Sequence, residues 1–237
     1  MKITRRDRML LNDVALHHVM TREQIVGLGY FASLQRANAR LLMLRKAGLL
    51  NLVRLNPSVE TRQHLYAVSR SAIDFLDARI GSLLAARSIT PRHVDHSLAV
   101  VDIRIKLLGL GMASWLAEPQ VRHRYSIASG SQTRTEDFRP DGLARFHNDL
   151  VFVEADRGNV SLSRMKLKLA SYASYSKRGA MKATYGVNAA RLLIVTTGSL
   201  RKSHLIRIVH LAGPFSVGLE TYHSLAARQT IDEVPFL

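Results

Sequence analysis

The segment RPDGLARFHNDLVFVEAD, residues 139–156, sets Asp141, Glu154 and Asp156 on what its pattern predicts is a β-hairpin. Two strand-like runs, RPDGLARF and DLVFVEAD, flank a turn at His147-Asn148-Asp149. On the second run Glu154 and Asp156 stand two apart, so alternation along a strand points both to one face. Two carboxylates aimed together repel unless a cation sits between them. Asp141 begins the first run, within strand-pairing reach of Glu154. The hairpin therefore predicts a cation site built on acids.

A helix over Pro91 to Leu108 and the run WLAEPQVRHRYSI precede the hairpin. A helix SLSRMKLKLASYASYSK, a strand ARLLIVTTG and a last strand HLIRIVHL follow it. Helix, three strands, helix, strand and a final strand predict a small mixed sheet flanked by helices, of α/β or α+β class. Charge is sorted along this stretch. Seven carboxylates fall between Glu118 and Asp156, whereas eleven Lys or Arg and no carboxylate fall between Arg157 and Leu219. This predicts a metal site held by acids beside a basic surface that holds a phosphodiester backbone.

The whole chain of 237 residues carries 34 Lys and Arg against 18 Asp and Glu, a net charge of +16. Such a field selects a polyanion, or belongs to a ribosome-like or merely soluble basic protein. Its distribution favours DNA on both sides of Pro91: 14 basic and 6 acidic residues precede it, and 20 and 12 lie from it onward. With 47% hydrophobic residues and 22% charged, the chain is neither disordered nor fibrous. Zero cysteines exclude disulfides, thiolate zinc sites and cysteine nucleophiles, and fit a cytoplasmic setting. No apolar run is long enough to span a bilayer, and the charged N-terminus lacks a signal-peptide core, so membrane insertion is not expected. The chain has no Walker-type loop, no Gly-x-Gly-x-x-Gly and no supported Ser-His-Asp set, which leaves nucleotide hydrolysis and acyl transfer without support.

Before residue 91, Thr4 with Asp7 and Thr21 with Gln24 mark two capped helix starts, and Ser33 caps a third helix, SLQRANARLLMLRKAG, that Gly48 ends. Two β-like runs around a Pro-containing turn follow, LLNLVRLNPSVETRQHLYAVS. Three short helices and a small hairpin, with RLLMLRKAGLL leading into it, resemble the winged helix-turn-helix family over about residues 4–68. The resemblance implies that the third helix enters the major groove. Gln35, Arg36, Asn38, Arg40 and Arg45 would then contact bases or phosphates, and Arg54 and Arg62 of the wing the backbone. Use of such a module for dimerisation alone is the alternative. A further amphipathic segment, Ser69 to Ala86, closes this part, giving domains of 1–88 and 91–237.

In the second part Pro140-Asp141, Glu154-Ala155-Asp156 and a following helix with Lys166 and Lys168 are similar to the core of restriction-endonuclease-like nucleases. With the N-terminal winged helix and the runs HSLAVVDIRIKL, RPDGLARF and VEADRG, nearly the whole chain resembles the plasmid replication-relaxation family, close to MobC-type relaxases. The resemblance implies a metal-dependent nicking enzyme at a plasmid transfer or replication origin. Asp141, Glu154 and Asp156 would be its acidic triad, Mg²⁺ or Mn²⁺ its cofactor, and origin DNA with accessory mobilisation proteins its partners. One departure stands out: Glu154-Ala155-Asp156 replaces the common Glu-x-Lys. Either Lys166 or Lys168 supplies the positive charge from the helix, or a third carboxylate and a bound water serve instead. A non-catalytic DNA-binding regulator with an inactive nuclease-like domain is the competing function.

Glu136 and Asp137 fall in a Ser/Thr/Gly-rich loop, SIASGSQTRTED, solvated or else a mobile flap over DNA. Glu118 joins the metal site or pairs with an Arg. Arg164, Lys177 and Arg178 are candidate DNA contacts on the helix after the hairpin. Because Lys166 and Lys168 lie about 200° apart around that helix, only one can face the acids, and its apolar stripe favours Lys168. The chain contains no His-x-His clamp of the kind that accompanies a Tyr nucleophile. Tyr172 and Tyr175 therefore serve packing, base stacking or, least favoured, covalent attack. His96 is an auxiliary candidate, either hydrogen-bonding or ligating.

Overall fold

The computed structural model describes residues 2–53, 64–85, 91–129, 132–147 and 149–237. The chain divides into two compact units, Met1–Ile105 and Lys106–Leu237. Among the described residues, no helix is long and apolar enough to cross a membrane.

Unit 1 begins with α1 (Arg5–His17), β1 (Met20–Thr21), α2 (Arg22–Gly27) and α3 (Leu34–Lys46). Thr4 and Asp7 form a capping box on α1, and Thr21 and Gln24 another on α2. Each satisfies donors that a helix start leaves unpaired. Ser33 caps α3, and Gly48 turns the chain out of it at φ +74°, where a side chain would be strained. β2 (Leu50–Val53) and β3 (Leu65–Val68) then pair antiparallel, with β1 on the other edge of β3. The intervening Arg54 and Arg62 lie outside the described residues. Leu10, Leu11 and Val14 of α1 and Ala37, Leu41 and Leu44 of α3 are buried together with Ile25.

A 3₁₀ helix (Arg70–Phe75), α4 (Ala78–Ala85) and α5 (Pro91–Gly109) follow. Most of α5 belongs to unit 1, because Val94 packs with Val19, Leu65 and Ala67, and the Gln24 amide donates to the Leu98 carbonyl and to Asp102. The boundary between units thus falls inside α5, later than the break expected at 88–91.

Unit 2 contains β4 (Ser114–Ala117), α6 (Glu118–Val121), β5 (His123–Ser129), β6 (Gln132–Phe138), β7 (Gly142–Phe146) and β8 (Asp149–Asp156). It continues through α7 (Leu162–Lys177), α8 (Ala180–Tyr185), β9 (Arg191–Thr196), α9 (Ser199–Ile206), a 3₁₀ turn, β10 (Ser216–Thr221) and α10 (Tyr222–Ala227). The five-stranded sheet has the order β10-β9-β8-β7-β4. β4, β7 and β8 run antiparallel, and β8, β9 and β10 parallel, each parallel step crossing over through helices. β8 is central and buried from Leu150 to Asp156. Leu150 and Phe152 on its one face meet Met165, Leu169, Tyr172 and Tyr175 of α7, with Leu192, Ile194, Val217 and Leu219 beside them.

The mixed α+β class agrees with the sequence pattern, while three local readings are corrected. WLAEPQVRHRYSI is not one strand: Pro119 lacks the amide a sheet needs and starts α6 instead. The Ser/Thr/Gly-rich stretch before Phe138 is not a loop but the β5–β6 hairpin, with Tyr125 opposite Glu136. HLIRIVHL is helical, because Leu205, Ile208 and Ala212 are buried at helical spacing, and the final strand is β10.

Candidate active site

Asp141 stands at the entrance of β7, where its amide donates to the Val153 carbonyl at 3.1 Å and its Oδ2 accepts from the Ala155 amide at 2.8 Å. The carboxylate is thereby fixed across the hairpin. Gly142, next to it, must be small: a Cβ there would lie 2.1 Å from the Trp115 ring. Glu154, only 2% exposed, projects from β8 toward α7, and its Oε1 accepts from the Tyr172 hydroxyl at 2.6 Å. Lys168, one turn before Tyr172, closes the group. Its Nζ makes an ion pair with Glu154 Oε2 and lies 3.4 Å from Asp141 Oδ1.

The electrostatics follow from this geometry. Burial pushes the Glu154 carboxyl up to about 8, and the nearby Asp141 charge adds to that, against the downward pull of Lys168 and Tyr172. Burial alone would lower the Lys168 ammonium, but the two carboxylates outweigh it and hold the ammonium protonated. The Tyr172 hydroxyl is raised by burial and by Glu154, and at 1% exposure it serves as a fixed donor to that carboxylate rather than an accessible nucleophile.

Structure and expectation part at the other acids. Asp156 shares the face of Glu154 but is engaged by Arg201 of α9 at 2.8 and 3.1 Å and by the Thr196 hydroxyl at 2.8 Å. Glu118, on α6 rather than on a strand, is held by Arg139 at 2.6 and 3.2 Å. Among the described residues no three His, Asp or Glu converge as a metal-binding group. Of the acids expected to act together, Asp141 and Glu154 meet at Lys168, whereas Asp156 pairs with Arg201 and Glu118 with Arg139. Two hard carboxylates suit Mg²⁺ or Mn²⁺, since such ions commonly take one or two protein carboxylates and complete their shell with water and phosphate oxygens. Asp141 and Glu154 fit that donor set, with Lys168 balancing the charge.

Lys166 is exposed, as are Arg164, Lys177 and Arg178, so these four can meet phosphates from α7 and its end. His96 is half-buried on α5 in the span of unit 1. On α3, Gln35, Arg36, Asn38 and Arg45 are exposed, with Asn38 accepting from Arg22 at 3.0 Å. Arg40 is a correction: it turns inward to the buried Asp7 and donates to the Lys2 carbonyl, tying α3 to α1 instead of facing DNA. Burial pushes the Asp7 carboxyl upward, yet hydrogen bonds from Arg40 and Thr4 prevail and bring it to about 2. Sequence reasoning missed Arg201, whose sequence context SLRKSH carries no signal of a buried partner. It also missed Leu42 and Met43, exposed at 46% and 45% on α3, which were detectable as apolar residues outside the buried stripe.

A family model described as Replication-relaxation matches residues 11–190. No curated protein matches. Among solved structures the chain is similar to the crystal structure of protein VC1899 from Vibrio cholerae, at 11% identity and a TM-score of 0.36. That match covers 97% of this chain and 56% of the other, so this chain spans little more than half its length.

Proposed function

Because the chain belongs to the replication-relaxation family, which serves plasmid replication and mobilisation, we propose that it nicks DNA at a plasmid origin. Unit 1 is read as a winged helix-turn-helix, with α3 presenting Gln35, Arg36, Asn38 and Arg45 to the major groove. Unit 2 is read as a restriction-endonuclease-like core that cuts one strand. The observation that carries this reading is Lys168 reaching both Asp141 and Glu154 from α7, since it supplies the positive charge missing from β8.

Each residue then has a task. Asp141 and Glu154 would hold Mg²⁺ or Mn²⁺, which when bound supplies Lewis-acid charge and a more acidic water at the phosphate. Lys168 places an ammonium beside the carboxylates, where a non-bridging phosphate oxygen can accept from it. Tyr172 fixes the rotamer of Glu154, and the Ala155 amide that of Asp141. Exposed Arg164, Lys166, Lys177 and Arg178 hold the backbone on either side. Accessory mobilisation proteins would join this complex on origin DNA.

A second reading, a DNA-binding accessory factor without cleavage, has its own observation: Lys168 already engages both Asp141 and Glu154, and Asp156 is locked to Arg201. Incubation with supercoiled cognate plasmid and Mg²⁺ or Mn²⁺ separates the two. Open circles that disappear with Asp141→Ala support cleavage; DNA binding with no open circles supports the accessory role.

A further inference from the structure

Between the β5–β6 hairpin and α7 lies a cavity of about 360 Å³, apart from the Asp141–Glu154–Lys168 group. Tyr125, Glu136 and Phe138 line it from the hairpin, and Leu167, Ala170 and Ser174 from the helix. Its volume is at the lower end of ligand pockets.

Of its two acids, Asp137 is neutralised by Arg122, at 2.8 Å through Oδ1 and through Oδ2 as well. Glu136 differs. Its Oε2 accepts from the Tyr125 hydroxyl at 3.0 Å and from Ser174 Oγ at 2.8 Å, while Oε1 has no hydrogen-bond partner among the described residues. Two hydroxyls thus hold a carboxylate in place with one acceptor oxygen to spare. Arg134, whose charge suits a phosphate, Thr135 and Ser171 also line the cavity, the wall is otherwise apolar, and Leu167 at its rim is 73% exposed. A ligand for such a wall is a flat apolar body carrying an N–H donor.

The surroundings narrow the choice. α7 carries exposed Arg164, Lys166 and Lys177, which attract a polyanion, and Ser171, which also lines the cavity, donates to the Lys168 carbonyl at 2.6 Å. The cavity therefore starts one helical turn, about 5 Å, from the lysine of the candidate active site. A polyanion that delivers flat rings with amine edges is a nucleic acid strand. A carboxylate accepts from the exocyclic amine of cytosine, whereas thymine presents a carbonyl oxygen at the same position and would be repelled. Neither edge is open to a pocket of this kind unless the base is unpaired.

We propose that this cavity is a subsite for one unpaired, amine-bearing nucleobase next to the cleaved phosphate, with Glu136 as its reader and Tyr125 and Ser174 as the residues that position Glu136. The proposal rests on the DNA-nicking reading, so its test needs no cleavage. Fluorescein-labelled single-stranded dC6 and dT6 are titrated with the full chain in EDTA at about pH 8, followed by anisotropy. Wild type should bind dC6 about tenfold tighter than dT6, the worth of one charge-assisted hydrogen bond. Glu136→Ala should erase the difference between dC6 and dT6. Ala170→Trp, which fills the cavity from an exposed helix position, should abolish the preference in the same way. Equal affinity in wild type, or a preference that survives both substitutions, overturns the subsite alone. Failure to bind either strand overturns the DNA reading with it, and a preference kept by a chain that never nicks leaves the subsite standing.

Discussion

Replacing Lys168 by Met tests the electrostatic core of the site. The substitution keeps an aliphatic side chain of similar length and deletes a cation shared by Asp141 and Glu154, which are 9% and 2% exposed. Removing one partner of a buried ion pair costs about 3–5 kcal/mol. A third of the Lys168 side chain is exposed, and Glu154 can keep a proton, so about 2–3 kcal/mol is expected here. For a chain of this length that lowers Tm by roughly 4–12 °C. The effect has a pH signature. In wild type the Glu154 carboxyl sits at about 8, above its ordinary value, so the folded state binds the extra proton and stability falls as pH rises toward 8. Without Lys168 the folded value moves higher still, and the fall continues after wild type has levelled off. The gap between the two proteins should therefore widen between about pH 7 and about pH 9. Mg²⁺ should narrow it, because a divalent ion on Asp141 and Glu154 supplies the missing charge. Differential scanning fluorimetry at several pH values, with and without Mg²⁺, reads both effects. Equal melting at high pH would refute the shared-cation geometry.

Arg201→Ala leaves Asp156 buried without its bidentate partner and should destabilise by about 3 kcal/mol in urea titration, with Arg201→Lys recovering less than half because it lacks the fork. Gly142→Ala forces the Trp115 ring aside and should cost about 1–3 kcal/mol, read in the same titration; a neutral outcome would mean that β4 does not pack as described. On α3, Arg36→Ala should lower DNA affinity and reduce the salt slope by about 1, whereas Arg40→Ala should lower Tm and leave the salt slope unchanged.

Much of the fold could be read from local rules that need few partners. The capping pairs Thr4–Asp7 and Thr21–Gln24 and the cap at Ser33 fix three helix starts within a few residues of chain, and each occurs where the pattern puts it. The hairpin that carries Asp141 and Glu154 is legible for the same reason, since alternation and a short turn set its register. Lys168 was separable from Lys166 because an apolar stripe orients a helix. What stayed hidden depends on distant side chains. Asp156 has the same spacing from Glu154 whether it binds a metal or an arginine, and the choice is made by Arg201, 45 residues away. In sequence Arg40 looks like the other bases of α3 until Asp7 folds beneath it. The helical end of α9 was obscured because Leu205, Ile206 and Ile208 are as apolar as a strand, and only burial at helical spacing separates the two.

In the proposed nicking reading Glu154 is chemical and Asp156 structural. Supercoiled plasmid bearing the cognate origin, Mg²⁺, and wild type, Glu154→Gln and Asp156→Asn at matched DNA occupancy decide it in one gel. Glu154→Gln should lose open-circle formation by at least about 100-fold, while Asp156→Asn should keep a rate within about tenfold of wild type at a lower Tm. Nicking that survives Glu154→Gln, or that Asp156→Asn abolishes in a chain melting like wild type, would contradict it.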